Sequence, residues 1–380
     1  AVEGATVYDQ AINWTAPADS DYVVFGYWTH GNYKTASPAA ETCYATNYFD
    51  TRGVDALRSF WEEHYLNDPE LNKKIKEGDV QLFMDSIELN PDGGITWWTE
   101  DIRQEFINRK GYDIMPYLFL VDGLPQVQAV YDPYTQPAEG THDLYNDKND
   151  REKIINDWVD VLTQLYCENM LQPLKEWLNS VGIETRAQIS YGRSFEITEP
   201  AMYVDYPEAE SLNQYNQVDI LRLHSAGNHL LDKVLSSETG TELNTYYTPQ
   251  QLRLEDAYTM YASGFQQLIW HIWSAGYSYG ENAAWPGWGS GFDRWGTREP
   301  SYKDFDEMNA HLGRIQQMLQ TGNSRTDVGF IHNNWNQGVR FGGESGDGLT
   351  GMQYMLAHQG VYYRSTELQD NGYTYDYFSP

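Results

Sequence analysis

Apolar and polar positions alternate along the chain with two different periods. Val54, Leu57, Trp61 and Tyr65 recur at helical spacing, which gives a helix there one apolar face. The run VQLFMDSIEL, residues 80–89, is apolar first and acidic at its end. It reads as a buried strand that finishes in carboxylates. Thr99 is placed to cap the next helix, with Glu100 and Asp101 in its first turn and Gly111 near its end. A long stripe follows through Trp158, Leu162, Leu165, Met170, Leu174, Trp177 and Val181. Pro173 is expected to kink that helix and Gly182 to end it. ETRAQIS (184–190), DKVLSSE (232–238) and FQQLIWHIW (265–273) read as further strands. Thr248-Pro249-Gln250-Gln251 combines an N-cap, a first-turn proline and a capping-box glutamine, and the helix it opens runs to Gly264. A last amphipathic helix carries Met308, Leu312, Ile315 and Leu319, with Gly322 as its stop. DVGFIH, residues 327–332, begins something new.

Repeated strand–helix units with polar residues at strand ends predict an α/β fold, a (β/α) TIM-type barrel whose site lies at the C-terminal ends of the strands. Only four or five strands are recognisable, and eight are needed for closure. The barrel is therefore expected to be incomplete in this chain and followed by the start of a second domain. The expected division is a β-rich segment over 1–50, leading into or inserted in the barrel, a catalytic barrel region over 51–322, and a post-barrel start over 323–380. The N-terminal AVEGATVYDQ lacks a charged start and an apolar core, so no signal peptide is read there. The chain is expected to be a fragment or a segment of a multidomain protein.

Composition narrows the partners. The 380 residues are 41% apolar, enough for a sizeable core, and carry a formal charge of −30. A field of that sign repels phosphate backbones and anionic membranes, and leaves neutral sugars and cations open. No run reaches the roughly 18 apolar residues of a membrane span. The 30 tyrosines and 13 tryptophans suit sugar stacking as well as core filling. Cys43 and Cys167 are read either as one disulfide or as two buried thiols. Asn13-Trp14-Thr15 is a glycosylation sequon, meaningful in a secreted protein. The lysine-poor, acidic balance points to a secreted or periplasmic location.

Carboxylates cluster at or just beyond the expected strand ends. Asp85 and Glu88 stand in DSIEL, Glu208 and Glu210 in YPEAES, and Glu238 in SSETG. There is no Gly-rich phosphate loop, CxxC or HExxH, and no convincing nucleophile elbow. Paired carboxylates acting on a neutral substrate suggest glycoside hydrolysis. One protonated carboxyl protonates the leaving oxygen, and the other, ionised, activates water or attacks the sugar. That needs two carboxyls in different environments. In a chain with 55 acidic residues such clusters also arise by chance, and Glu208 and Glu210 read equally as a solvated turn after Pro207. His271, between Trp270 and Ile272, is either a core histidine or a partner to a sugar hydroxyl or carboxylate. Trp285, Trp288, Phe292 and Trp295 lie among glycines and prolines, either as exposed platforms or as rings that pin their own loop.

Taken in order, DSIEL with a following tryptophan, EFINRKGYDIMPYL, RAQISYG, YPEAESL, SSE and GFQQLIWHIWS resemble the glycoside hydrolase family 106 α-L-rhamnosidases, from about residue 10 to 380. The resemblance implies a (β/α)8 barrel followed by β-rich domains, and hydrolysis with inversion. It makes Glu88 the general acid and Glu238 the general base, with Asp85 and Glu210 supporting them. Both carboxyls are then expected to face each other across the barrel mouth, about 6.5–9.5 Å apart. His271, Trp273, Trp285, Trp288, Trp295 and Tyr191 become candidate sugar contacts. Family members can bind calcium near the sugar, with no cofactor required for the chemistry, and spacing alone gives no ligand set here. Ser237 stands where the family has alanine, and no glycine follows His271. Those departures bear on the sugar more than on the reaction type. Partners are a carbohydrate substrate and, if the barrel is incomplete, other domains or chains completing it. Two other readings stay open: a catalytically silent carbohydrate-binding or structural glycoprotein on the same barrel, and a retaining barrel glycosidase.

Overall fold

The structure is a computed structural model. It describes residues 6–8, 11–22, 24–29, 46–85, 97–121, 148–189, 198–211, 221–222, 224–240, 250–272, 295–296, 300–331 and 367–378. Strands β1 (Thr6–Tyr8) and β2 (Ala11–Asn13) form an antiparallel hairpin. Helices α1 (Thr51–His64) and α2 (Pro69–Glu77) precede strand β3 (Val80–Met84). Then come α3 (Ile102–Lys110), α4 (Lys148–Tyr166), a π-helical turn (Cys167–Leu171), α5 (Gln172–Ser180) and strand β4 (Ile183–Gln188). Strand β5 (Tyr206–Glu210), helix α6 (Ser225–Leu231), strand β6 (Ser236–Thr239), helix α7 (Gln250–Ala262) and strand β7 (Gln267–Trp270) continue the alternation. Helix α8 (Phe305–Leu319) follows. Strand β8 (Val328–Ile331), helix α9 (Glu367–Asp370) and strand β9 (Tyr375–Phe378) come last.

Strands β3 to β7 form one parallel sheet in sequential order, curled into a half-barrel. That is the (β/α) pattern, and among the described residues it stops at five strands. Strand β8 does not extend this sheet. It pairs in parallel with β9 in a separate two-stranded sheet.

The residues explain the elements. Asp50 and Asp68 each cap a helix by accepting from backbone N–H groups of its first turn. Gly111 ends α3 with φ 78, a left-handed value that glycine adopts without steric cost. Thr99, expected as the cap of α3, is not. Asp101 stands at the helix start and the Thr99 hydroxyl donates instead to Asp50 at 3.4 Å. The long apolar stripe is broken as expected, but by the π turn Cys167–Leu171 before Pro173. Proline has no N–H to satisfy the turn behind it, so the chain widens there. Cys167 is a buried thiol inside that turn, and Cys43 lies outside the described residues. DKVLSSE begins as a helix end. Asp232 holds a left-handed φ of 53 after α6, and only Ser236 onward is strand.

The helices cover one face of the sheet. Trp158, Leu162 and Leu165 of α4, Leu174 and Leu178 of α5, and Ile102 and Phe106 of α3 join Ile183 and Ala187 of β4 in one buried cluster. At the β7 edge of the same face, Ala257 and Tyr261 of α7 pack with Met308 and Leu312 of α8.

Asp205 ties the bottom of the sheet together. Its Oδ2 accepts from the Thr185 backbone N–H at 2.9 Å, the Thr185 hydroxyl at 3.0 Å and the Asn179 amide at 3.0 Å. Lys175 pairs with its other oxygen. Burial pushes this carboxyl up, but these donors outweigh it and leave it below the usual aspartate value. A group depressed in the folded state stabilises above its unfolded pKa, and that stability is lost as pH falls through the folded value. Asp205→Asn is therefore expected to cost about 1–3 kcal/mol near pH 7. The difference from wild type should shrink on acidification. Urea melts at pH 7 and pH 3 check this, and an equal difference at both would refute it.

Candidate active site

In a parallel pair, partnered residues point to the same face, and alternation along each strand carries that face forward. The register aligns Gln188 of β4, Glu208 of β5, Ser236 of β6 and Gln267 of β7. Two residues on, Glu210, Glu238 and Ile269 align. The face away from the helices is thus polar and acidic. On the helix side stand Ala187, Ala209 and Ser237, small residues that let α-helices approach.

Glu238 sits at the C-terminal end of β6, where a barrel of this type carries its chemistry. Its Oε2 accepts from the Gln188 amide at 2.6 Å, and His271 Nε2 lies 3.4 Å from Oε1. The residue is 9% exposed. Burial, followed by the negative charges of Glu210, Asp85 and Glu208, pushes it up to about 8. Beyond it, Gly240 turns the chain with φ +88, and its N–H donates to Ser211 Oγ and Asp256 Oδ2. A Cβ there would lie 2.7 Å from the Trp295 ring.

Glu208 and Glu210 are not a solvated turn. Both are buried within β5, because Pro207 occupies a strand position and its neighbours pair on both sides. Glu208 Oε2 accepts from Arg186 Nη1 at 2.7 Å and from Ser236 Oγ at 2.6 Å. Burial raises this carboxyl, and Arg186 pulls it back. Arg186 in turn lies over the Phe83 ring at 4.5 Å.

His271 continues β7. Its N–H donates to the Thr239 carbonyl at 2.9 Å. Burial lowers its pKa and the Asp85 charge opposes that, so near neutral pH the ring is mostly uncharged. Asp85 follows β3 directly and is exposed on the opening. Its charge reaches both Glu238 and His271.

The structure therefore brings together Asp85, Glu210, Glu238 and His271 at the C-terminal ends of β3, β5, β6 and β7. Glu88, Tyr191, Trp273, Trp285 and Trp288 lie outside the described residues, as does the separation of Glu88 from Glu238. Trp295 is buried, stacked on Trp270 with centroids 3.9 Å apart and packed beside Phe305. A packing role against β7 and α8 fits this burial, and an exposed sugar platform does not. Arg186 and Gln188 were not expected as site residues. The signal was the alternation in Thr185-Arg186-Ala187-Gln188, long polar groups on one face and small ones on the other. Among the described residues no group of three or more His, Cys, Asp or Glu converges to hold a metal. No helix among the described residues is long and apolar enough to cross a membrane.

No curated protein and no solved structure matches the chain. The model of glycoside hydrolase family 106, described as alpha-L-rhamnosidase, matches residues 3–345. That span includes all five strands of the half-barrel and the carboxylates on its polar face. The chain belongs to glycoside hydrolase family 106 and is a glycoside hydrolase of the α-L-rhamnosidase type.

Proposed function

We propose an exo-acting, inverting α-L-rhamnosidase that works on a plant or microbial polysaccharide or glycoside, with Glu88 and Glu238 as its carboxyl pair. The observation that supports it is Glu238. This is a buried carboxyl at a strand's C-terminal end, hydrogen-bonded on one oxygen and surrounded by like charge. Inverting hydrolysis needs one carboxyl to protonate the leaving oxygen and one carboxylate to take a proton from water. In this reading Glu238 is the base and Glu88 the acid. A carboxylate pushed up to about 8 is a strong proton acceptor once ionised, and it titrates close to neutral pH, where a general base is effective. Asp85 and Glu210 keep its affinity for the proton high, and His271 and Gln188 orient its two oxygens. The protein is secreted or periplasmic, with the barrel region over 51–322 as the catalytic unit.

A second reading exchanges the roles, and the same raised pKa favours it, because a carboxyl that holds its proton at pH 7 is a ready acid. The pH profile separates the two. If Glu238 is the base, kcat/KM rises as pH climbs through its titration. If it is the acid, kcat/KM falls there, and its glutamine variant recovers most of its rate on substrates with a good leaving group such as nitrophenol. The founding experiment is turnover of an aryl α-L-rhamnoside with the first-formed anomer read by NMR. A product of retained configuration would remove the inverting mechanism, and no turnover across a panel of aryl glycosides would favour the silent carbohydrate-binding reading.

A further inference from the structure

We propose that Glu208 and Arg186 form a buried positioning pair that sets the charge felt by the Glu238 carboxyl. This rests on the reading of Glu238 as a catalytic carboxyl. The Glu208 side chain is fully buried, at 0% exposure, and Arg186 is at 13%. Taking two charges out of water costs several kcal/mol per ion, and such a pair is commonly no more stabilising than well-packed apolar residues. Stability alone therefore gives little reason for a charged pair on this inner face.

Its position gives a reason. Glu208 aligns with Gln188, the residue that donates to Glu238, and stands two residues before Glu210 on the same face. Both strong donors, Arg186 and Ser236, converge on Oε2. Oε1 is buried, and the Gln188 side chain that donates to Glu238 also lowers the Glu208 carboxyl. Ser236 thus orients Glu208, one step below Glu210 on this face. Among the described residues, the charged and titratable groups that act on Glu238 are Asp85 just after β3, Glu208 and Glu210 from β5, and His271 after β7, and Arg186 of β4 meets this set through Glu208. Arg186 brings a guanidinium to this acidic face. Its bond to Glu208 offsets that carboxylate's charge, the charge that reaches Glu238.

Two variants should move the site in opposite directions. Glu208→Gln removes a negative charge and leaves Arg186, so the Glu238-dependent limb of the kcat/KM profile should move about one unit to lower pH. Arg186→Met leaves Glu208 uncompensated, so the limb should move to higher pH, to an extent limited by any protonation of Glu208. A merely structural pair would lower kcat in both variants and leave the limb in place. Glu208→Asp, which keeps the charge, should restore the limb even with reduced kcat. If Glu208→Gln does not fold, Ser236→Ala serves instead. Losing that hydrogen bond raises Glu208, so part of its charge disappears and the limb should shift the same way by less. Opposite shifts support the proposal, and no shift or a common direction in folded variants overturns it. A wild-type profile with no limb that Glu238→Gln removes would instead fail the underlying assignment of Glu238.

Discussion

Glu238→Gln is expected to lower kcat on a natural glycoside by about 10²–10⁴-fold, the usual contribution of a general acid or base. Glutamine is nearly isosteric, keeps an acceptor oxygen toward Gln188, and removes a carboxyl crowded by Glu210, Asp85 and Glu208. Relief of that crowding should leave the fold as stable as wild type or slightly more so. The loss must therefore appear in turnover and not in melting. The limb of the pH profile near Glu238's titration should vanish with it. Glu88→Gln should lose a similar factor and remove the opposite limb. Activity within a few-fold of wild type in Glu238→Gln, with the fold intact, would take Glu238 out of the chemistry.

Part of the candidate site is legible in the sequence alone. The carboxylates that end apolar runs, Asp85 and Glu238, are where a half-barrel puts its chemistry, because an apolar run marks a buried parallel strand and its polar exit marks the opening. Strand β5 was not legible. Tyr206-Pro207-Glu208-Ala209-Glu210 holds a proline and two acids, and those residues are depleted in strands. The register with β4 and β6 overrides that preference, since Glu208 finds Arg186 and Ser236 across the ladder. Both partners are distant in sequence, so no local pattern could announce them. The same holds for Trp295. Among glycines and prolines its ring looked available for a sugar, but it is stacked against Trp270 from β7, with Arg253 from α7 4.9 Å from its centroid. Helix ends were read well where one residue decides them, as at Gly111, Gly182 and Gly264, each with positive φ. They were read less well where two candidates competed, as Thr99 and Asp101 did.

The scaffold behind the site should fail at Trp158. This residue of α4 is 1% exposed, with Trp98 stacked at 6.3 Å between centroids and Phe106 tilted at 6.1 Å. It belongs to the cluster that supports β4 from the helix side, and β4 carries Arg186 and Gln188. Trp158→Ala removes the most deeply buried tryptophan of that cluster and leaves a cavity, at a cost of about 3–5 kcal/mol. Against a total of about 5–15 kcal/mol for a domain, that is a large share. Its indole N–H is buried with no hydrogen-bond partner among the described residues. Trp158→Phe deletes that unsatisfied donor while keeping an aromatic ring, so part of the lost packing is offset. The phenylalanine variant should therefore be clearly more stable than the alanine one, with the pH profile of turnover unchanged. Denaturant melts of the two variants beside wild type decide it. An alanine variant within about 1 kcal/mol of wild type would show that α4 does not hold β4 in place, since 3–5 kcal/mol is the expected cost of an unfilled tryptophan cavity.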